Sequence, residues 1–365
     1  MKKSSVIILI LSSLFHSCSP QFGGVATKEQ RTEYEKSSNY SDGKFINQKK
    51  VDESLSFKEL RKGLWEYLFT PSEAKPQNDI LVEKIDSLNI AQFKDSTRLI
   101  WFGHSTFLLQ LENQNILIDP MFSKVAAPYT WLGSNRFSKE LPIEIEKMPS
   151  IDAVILSHDH YDHLDYKSIL KLKNKVKMFY APLGVGVHLV KWGIEKERIV
   201  ELDWWQEISS KGLTFKCTPS QHFSGRKFKT RGSTLWSSWI IQSPTENIFF
   251  SGDGGYGDHF KEIGERYGPF DFAMMECGQY DEKWSNIHMF PEQTAQAALD
   301  IRAKHMMPIH WGAIKLAPHS WSEPVERVIA AAKKLNLPVI IPRIGEPITL
   351  QKTIDYSQDA WWLKY

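Results

Sequence analysis

The run Ser157-His158-Asp159-His160-Tyr161-Asp162-His163-Leu164-Asp165 limits the fold more than any other stretch of the chain. It holds three histidines and three aspartates in nine positions, and its histidines come directly after residues 151–157, a short apolar run fit for a buried strand. A strand that delivers so many titratable groups to one end points to a metal site at that end. His158 and His160 are two apart, so on an extended backbone their side chains point the same way. Two imidazoles converging on one ion suit zinc or another first-row metal. Asp162 and His163 come after a turn and can face a second position close by. The alternative is a solvated polar loop, or one adventitious ion.

One cluster does not complete two sites, so further ligands are expected from elsewhere. His222 follows the strand-like LTFKCTPSQ, Asp253 follows NIFFSG, and His310 follows HMMPI. Taken singly, each can cap a helix or bond to backbone. Together with the run they give four or five histidines and two aspartates. Asp253 is flanked by Gly252 and two further glycines, so it can approach two ions closely; a carboxylate bridges a pair more readily than an imidazole.

The surrounding texture predicts an α/β fold. Residues 98–120 read as two or three strands in a hairpin-like series. Strands are also expected at VKMFYAP, LTFKCTPSQH, STLWSSWIIQSP, NIFFSGD, FDFAMMECG and HMMPIHWG. Helices are expected at YKSILKLKNK, LGVGVHLVKWG, FPEQTAQAALDIR and PVERVIAAAKKLN, with Pro291 suited to a first turn. Strands first in meander order, then alternating with helices, suggest two sheets face to face with helices outside. No linker interrupts residues 98–365, which are read as one domain.

The start, MKKSSVIILILSSLFHSCSP, has a basic end and an apolar stretch from Val6 to Phe15, too short to span a bilayer. Residues 1–18 resemble a bacterial lipoprotein signal in which Cys18 is lipidated, placing the protein at the cell envelope facing the periplasm. Ordinary secretory cleavage near residue 20 is the alternative. Residues 19–97 read as a polar tether, flexible over 19–55, plus an extension. Within it, residues 57–69 form an amphipathic helix that either lies on a membrane or packs on its own domain.

Lys and Arg total 45 against 43 Asp and Glu, a net charge of +2, which lends no support to a nucleic-acid partner. The 3 cysteines, Cys18, Cys217 and Cys277, are no disulfide framework. The 13 tryptophans fit a Trp-rich core, or an aromatic surface for lipid.

SHDHYDHLD, SGDGGYGD and PIHWG together resemble the metallo-β-lactamase superfamily over roughly residues 98–350. The resemblance implies an αββα sandwich with a two-metal site at one edge and two Zn2+ as cofactors. It places His158, His160 and His222 on the first metal, Asp162, His163 and His310 on the second, and Asp253 between them. WFGHSTFLL, LIDPMFS, QHFSGR, LWSSW, MECGQYDEKWSNIHMFPEQ and IHWGAIKLA resemble, more narrowly, the N-acylphosphatidylethanolamine-hydrolysing phospholipase D branch. That implies a hydrolase that cleaves a phospholipid phosphodiester at a membrane surface. It adds His288 as a catalytic acid or phosphate donor, with Asp162 and Asp253 the catalytic carboxylates. His104 is a weaker candidate for contact with the substrate or its phosphate. Arg226 is another, and with Lys227, Lys229 and Arg231 it can attract anionic headgroups. Two alternatives stay open: a lactonase or soluble phosphate-ester hydrolase like the L-ascorbate-6-phosphate lactonases, and a lipid-anchored binding protein with a structural metal. Oligomeric state is not readable, and a homodimer remains an option.

Overall fold

Strands that are apolar on both faces need cover on both, and here they stack as two sheets with helices on the outer sides. The computed structural model describes residues 19–49, 73–94, 96–350 and 359–365. The signal segment with Cys18 and the helix expected over 57–69 lie outside the described residues.

The chain begins with a strap: a turn of 3-10 helix at Pro20–Phe22, helix α1 (Lys28–Tyr34), and a hairpin of β1 (Tyr40–Ser41) and β2 (Lys44–Phe45). Thr27 and Gln30 form a reciprocal cap at the start of α1. Helix α2 (Ser87–Gln92), capped by Asp86, precedes the first sheet. That sheet takes β3 (Arg98–Trp101), β4 (Phe107–Leu111), β5 (Gln114–Ile118), β6 (Ile151–Ile155), β7 (Val176–Pro182) and β8 (Ile199–Leu202). Helices α3 (Tyr166–Leu172) and α4 (Gly186–Lys191) connect its parallel half. The second sheet takes β9 (Glu207–Ser210), β10 (Leu213–Thr218), β11 (Ser238–Gln242), β12 (Asn247–Phe250), β13 (Phe272–Glu276) and β14 (Met306–Ile309). Helices α5 (His259–Tyr267), α6 (Pro291–Asp300) and α7 (Glu323–Lys334) accompany it, and β15 (Pro347–Thr349) returns to the edge of the first sheet beside β3. The orders are β15-β3-β4-β5-β6-β7-β8 and β14-β13-β12-β11-β10-β9.

Period-two alternation builds the layers. Along β6, Ala153 and Ile155 face the space between the sheets while Val154 faces α3. Along β13, Phe272 and Met274 face inward while Ala273 and Met275 pack under α6 and α7. Nine of the twelve described tryptophans are buried, so most serve the core; Trp101, Trp311 and Trp361 form a chain of rings 5.5 Å apart at each step. Trp131 is exposed. Cys217, on β10, and Cys277, just past the end of β13, are buried, free thiols.

The flexible tether expected over 19–55 is corrected for residues 19–49, which pack on the sandwich. Tyr34 and Phe45 are buried in the central core, and Trp192 Nε1 donates to Pro20 O at 2.7 Å. A few aromatic side chains in a polar segment were enough to anchor it, and composition alone does not count such anchors.

Candidate metal centre

The histidine run leaves the C-terminal end of β6 and is pinned there by Asp119, which follows β5. The Asp119 carboxylate accepts from Ser157 N at 2.7 Å and from the Ser157 hydroxyl, and lies 2.7 Å from His163 Nδ1. That contact makes Nδ1 the donor and turns His163 Nε2 toward the centre. Three other loops arrive from the second sheet, after β10, β12 and β14. Gly252 allows the middle one its turn: its φ is +58°, and a Cβ there would meet Ser237 O at 2.5 Å.

Three nitrogens converge first. His158 Nε2 lies 2.9 Å from His160 Nδ1, which lies 3.2 Å from His222 Nε2. Tetrahedral nitrogens around zinc stand about 3.3 Å from one another, so this spacing fits one ion. His222 Nδ1 donates to Ile287 O at 3.0 Å, which leaves Nε2 with its lone pair. The second group is Asp162, His163 and His310. Asp162 Oδ2 is 3.3 Å from His163 Nε2 and 4.0 Å from His310 Nε2. Asp253 stands between the groups. Its Oδ2 is 3.9 Å from both His158 Nε2 and His222 Nε2 and 3.1 Å from His163 Nε2, while its Oδ1 is 3.2 Å from His310 Nδ1. All seven side chains expected as ligands are thus brought together.

The donor set fits metal ions. His163 Nε2 and Asp253 Oδ1 are buried with no hydrogen-bond partner, an omission that costs about 1–3 kcal/mol each unless a cation answers them. Burial, then the neighbouring imidazoles, keeps His158 and His222 well below the usual histidine range, so both are neutral. Burial opposes ionisation of Asp162 and Asp253, but the histidines around them, His163 foremost, override it and hold both carboxyls well down. Neutral imidazoles with ionised carboxylates are the metal-binding state. His163 goes the other way: against its burial, Asp253 and Asp162 pull it well up, the response of a negative cluster that wants a positive charge.

His288 joins the centre, its ring 5.1 Å from that of His222 and 5.3 Å from that of His310. Its Nδ1 is 3.2 Å from Glu276 Oε1, and the buried Glu276 also accepts from Met289 N at 3.0 Å. Burial works against a charge on His288, and the bond to Glu276 outweighs it and raises its pKa. The ring borders a cavity of about 310 Å³ that also touches His160, Asp162, Asp253, Arg231 and Lys283.

Two expected substrate contacts are corrected. Arg226 is buried and turned away from the cavity. Its guanidinium donates to the carbonyls of Asp159 (2.6 Å), Leu164 (2.8 Å) and Gln21 (2.7 Å), and lies 4.1 Å over the Tyr161 ring. It braces the histidine loop from behind, its Nε and Nη1 committed to those carbonyls. His104 is fully buried, with Nε2 2.8 Å from Asp162 Oδ2, so it orients a candidate ligand and does not line the cavity. His104 and His310 both have positive φ (57° and 68°), and His310 N donates to His104 O at 3.1 Å. Each such backbone costs of order 1–3 kcal/mol, held by the packing of the two loops.

Sequence reasoning missed Asp119, Glu276 and Asn47. Asn47 comes from the strap and grips the main chain of His222: its Nδ2 donates to His222 O at 2.8 Å, and its Oδ1 accepts from His222 N at 3.1 Å. Asp119 had a signal, a lone acid closing an apolar strand; Asn47 had none.

Comparison with known proteins agrees with this geometry. A family model described as a β-lactamase superfamily domain matches residues 114–311. An uncharacterized protein of Mycobacterium tuberculosis is 40% identical over 338 residues, 90% of this chain and 88% of the relative. N-acyl-phosphatidylethanolamine-hydrolyzing phospholipase D 1 of Caenorhabditis elegans is 32% identical over 225 residues, covering 58% of this chain and 63% of the worm protein. Among solved structures, Igni18, a metallo hydrolase of Ignicoccus hospitalis, has a TM-score of 0.54 at 21% identity, covering 71% of this chain and 100% of its own.

Proposed function

The chain belongs to the metallo-β-lactamase superfamily and is a metal-dependent hydrolase, and from that premise we propose that it cleaves a phosphodiester bond in a phospholipid. The preferred substrate is N-acylphosphatidylethanolamine, which would give an N-acylethanolamine and phosphatidic acid. The likeness to the worm phospholipase supports that choice. The carrying observation is Asp253, whose Oδ2 lies 3.9 Å from His158 Nε2 and His222 Nε2 of the first group and 3.1 Å from His163 Nε2 of the second, while its Oδ1 lies 3.2 Å from His310 Nδ1. His158, His160 and His222 would hold one Zn2+, Asp162, His163 and His310 a second, and Asp253 would reach both. Two such ions supply an activated water and offset negative charge at phosphorus.

The chain's own residues do the rest. Glu276 fixes the His288 ring through Nδ1, so Nε2 is the atom left to give a proton to the departing alkoxide. Arg231 and Lys283 border the same cavity and suit the charge of a phosphate. His104 and Asp119 act through the ligands they touch. A lipid chain on Cys18 would hold the enzyme at the envelope membrane, facing the periplasm; an unmodified Cys18 thiol in the mature protein, read by mass spectrometry, would remove that anchor.

The test pairs metal analysis with turnover. Purified full-length protein is expected to carry two zinc ions and to release N-acylethanolamine from micellar substrate in a metal-dependent way. Turnover of lactones or simple phosphate esters with no lipid product would replace this reading with the soluble-substrate one.

A further inference from the structure

Two cavities meet at one side-chain stack. The catalytic cavity and a second one of about 600 Å³ share Phe223 and Arg231 in their walls. The Arg231 guanidinium lies 4.1 Å over the Phe223 ring, and that ring packs 4.6 Å from His160 and 4.9 Å from His222. The stack therefore rests on the metal-facing histidines and borders both spaces.

The strap forms the far wall of the second cavity, through Lys44, Phe45 and Ile46, and Trp236 lines it from the loop before β11. Polar bonds fix this wall. Phe45 N donates to Gly232 O at 2.8 Å, and Asn47 holds both the His222 main chain and Trp236 Nε1, the latter at 3.1 Å. Between these two anchors Ile46 is 44% exposed. A large apolar side chain held in the wall of a cavity of this size, beside three cations, Lys44, Lys49 and Arg231, and one acid, Asp42, suits an anionic amphiphile.

We propose that this second cavity is a substrate subsite that takes the hydrocarbon chain of a phosphate-bearing amphiphile. The acidic head lies beside Arg231, at the end shared with the metal-facing cavity. The inference rests on the phospholipid reading above and deepens it, since it makes the strap a determinant of chain-length preference. Continuity through Phe223 and Arg231 sets the direction of the chain, and the positive charge of Arg231, which borders both cavities, suits the head.

Binding, read apart from turnover, tests it. Zinc-loaded full-length protein is titrated calorimetrically with ethyl phosphate and with octyl phosphate below its micelle concentration. The octyl compound is expected to bind about tenfold tighter or better, as burial of a few methylenes predicts. Ile46→Glu should bring the ratio of the two affinities close to one, and Ile46→Leu should keep it. Equal affinities in the unaltered protein, or an Ile46→Glu variant that weakens both ligands alike, would overturn the subsite. An intact chain-length ratio in a protein that turns over no phospholipid would instead overturn the phosphodiesterase reading and leave the subsite standing.

Discussion

At the residue scale the centre depends on groups that never touch the cavity. Asp119 holds His163 Nδ1 at 2.7 Å and orders Ser157 at the start of the histidine run. Asp119→Asn should keep the fold and lower zinc affinity by about 10–100-fold, the usual effect of losing the carboxylate behind a ligating imidazole; competition with a chromophoric chelator measures it. Unchanged affinity would mean that His163 is oriented by its loop alone. Glu276→Gln makes a separate prediction for His288. kcat should fall, with KM and zinc content nearly constant, because Glu276 bonds to His288 and not to the seven converging ligands. If metal content falls as well, Glu276 supports the centre as a whole. The seven candidate ligands were legible in the sequence because four crowd into one run after an apolar strand and the other three, His222, Asp253 and His310, each follow an apolar run of their own. Glu276 and Asn47 were not, because an acid or amide acquires such a role only from what the fold sets beside it; Asp119 closes an apolar strand as a ligand does, and only the fold shows that it holds a ligand instead. Arg226 misled for a similar reason: a basic residue in a basic loop reads as exposed, and only the three carbonyls around its guanidinium show otherwise.

Among elements, the strap is the one whose weight exceeds its size. Phe45 packs 5.4 Å from the Tyr34 ring and 4.9 Å from Tyr40, and two residues later Asn47 grips His222. Phe45→Ala should cost about 3–5 kcal/mol, as loss of a buried aromatic does, and should also weaken zinc binding by releasing Asn47. Urea unfolding with and without added zinc separates the two effects: a stability loss with zinc affinity intact would reduce the strap to packing. The central strands were readable because they are apolar on both faces. β9 (Glu207–Ser210) was not, since it is a polar edge strand, nor was α5 (His259–Tyr267), whose charged turns surround Gly264. Edge strands and short surface helices owe their conformation to the neighbours they lie on, which is information spread over the whole chain.

For the whole molecule, the centre lies where the two sheets meet and takes ligands from both. His158, His160, Asp162 and His163 follow the first sheet's β6; His222, Asp253 and His310 follow strands of the second. Ions bound there would clasp the sandwich at one edge, opposing the spread of charged and strained loops around Asp162, Asp253, His104 and His310. Metal that binds only the folded chain adds stability by mass action, about 2.7 kcal/mol at a free concentration one hundred times its dissociation constant. Stripping with a chelator should therefore lower Tm, and zinc should restore it in a concentration-dependent way. Asp253→Ala should lose most of that response, because one carboxylate serves both groups. Hydrogen exchange should locate the change, with faster exchange after stripping at residues 157–165 and 251–255 and little change in β11 or β12. The core between the sheets is apolar and needs no ion, so the apo chain should stay folded with a loosened edge. A Tm that ignores both chelator and zinc would mean that the seven side chains sit as a preformed cluster and that the sheets are held together by the core alone.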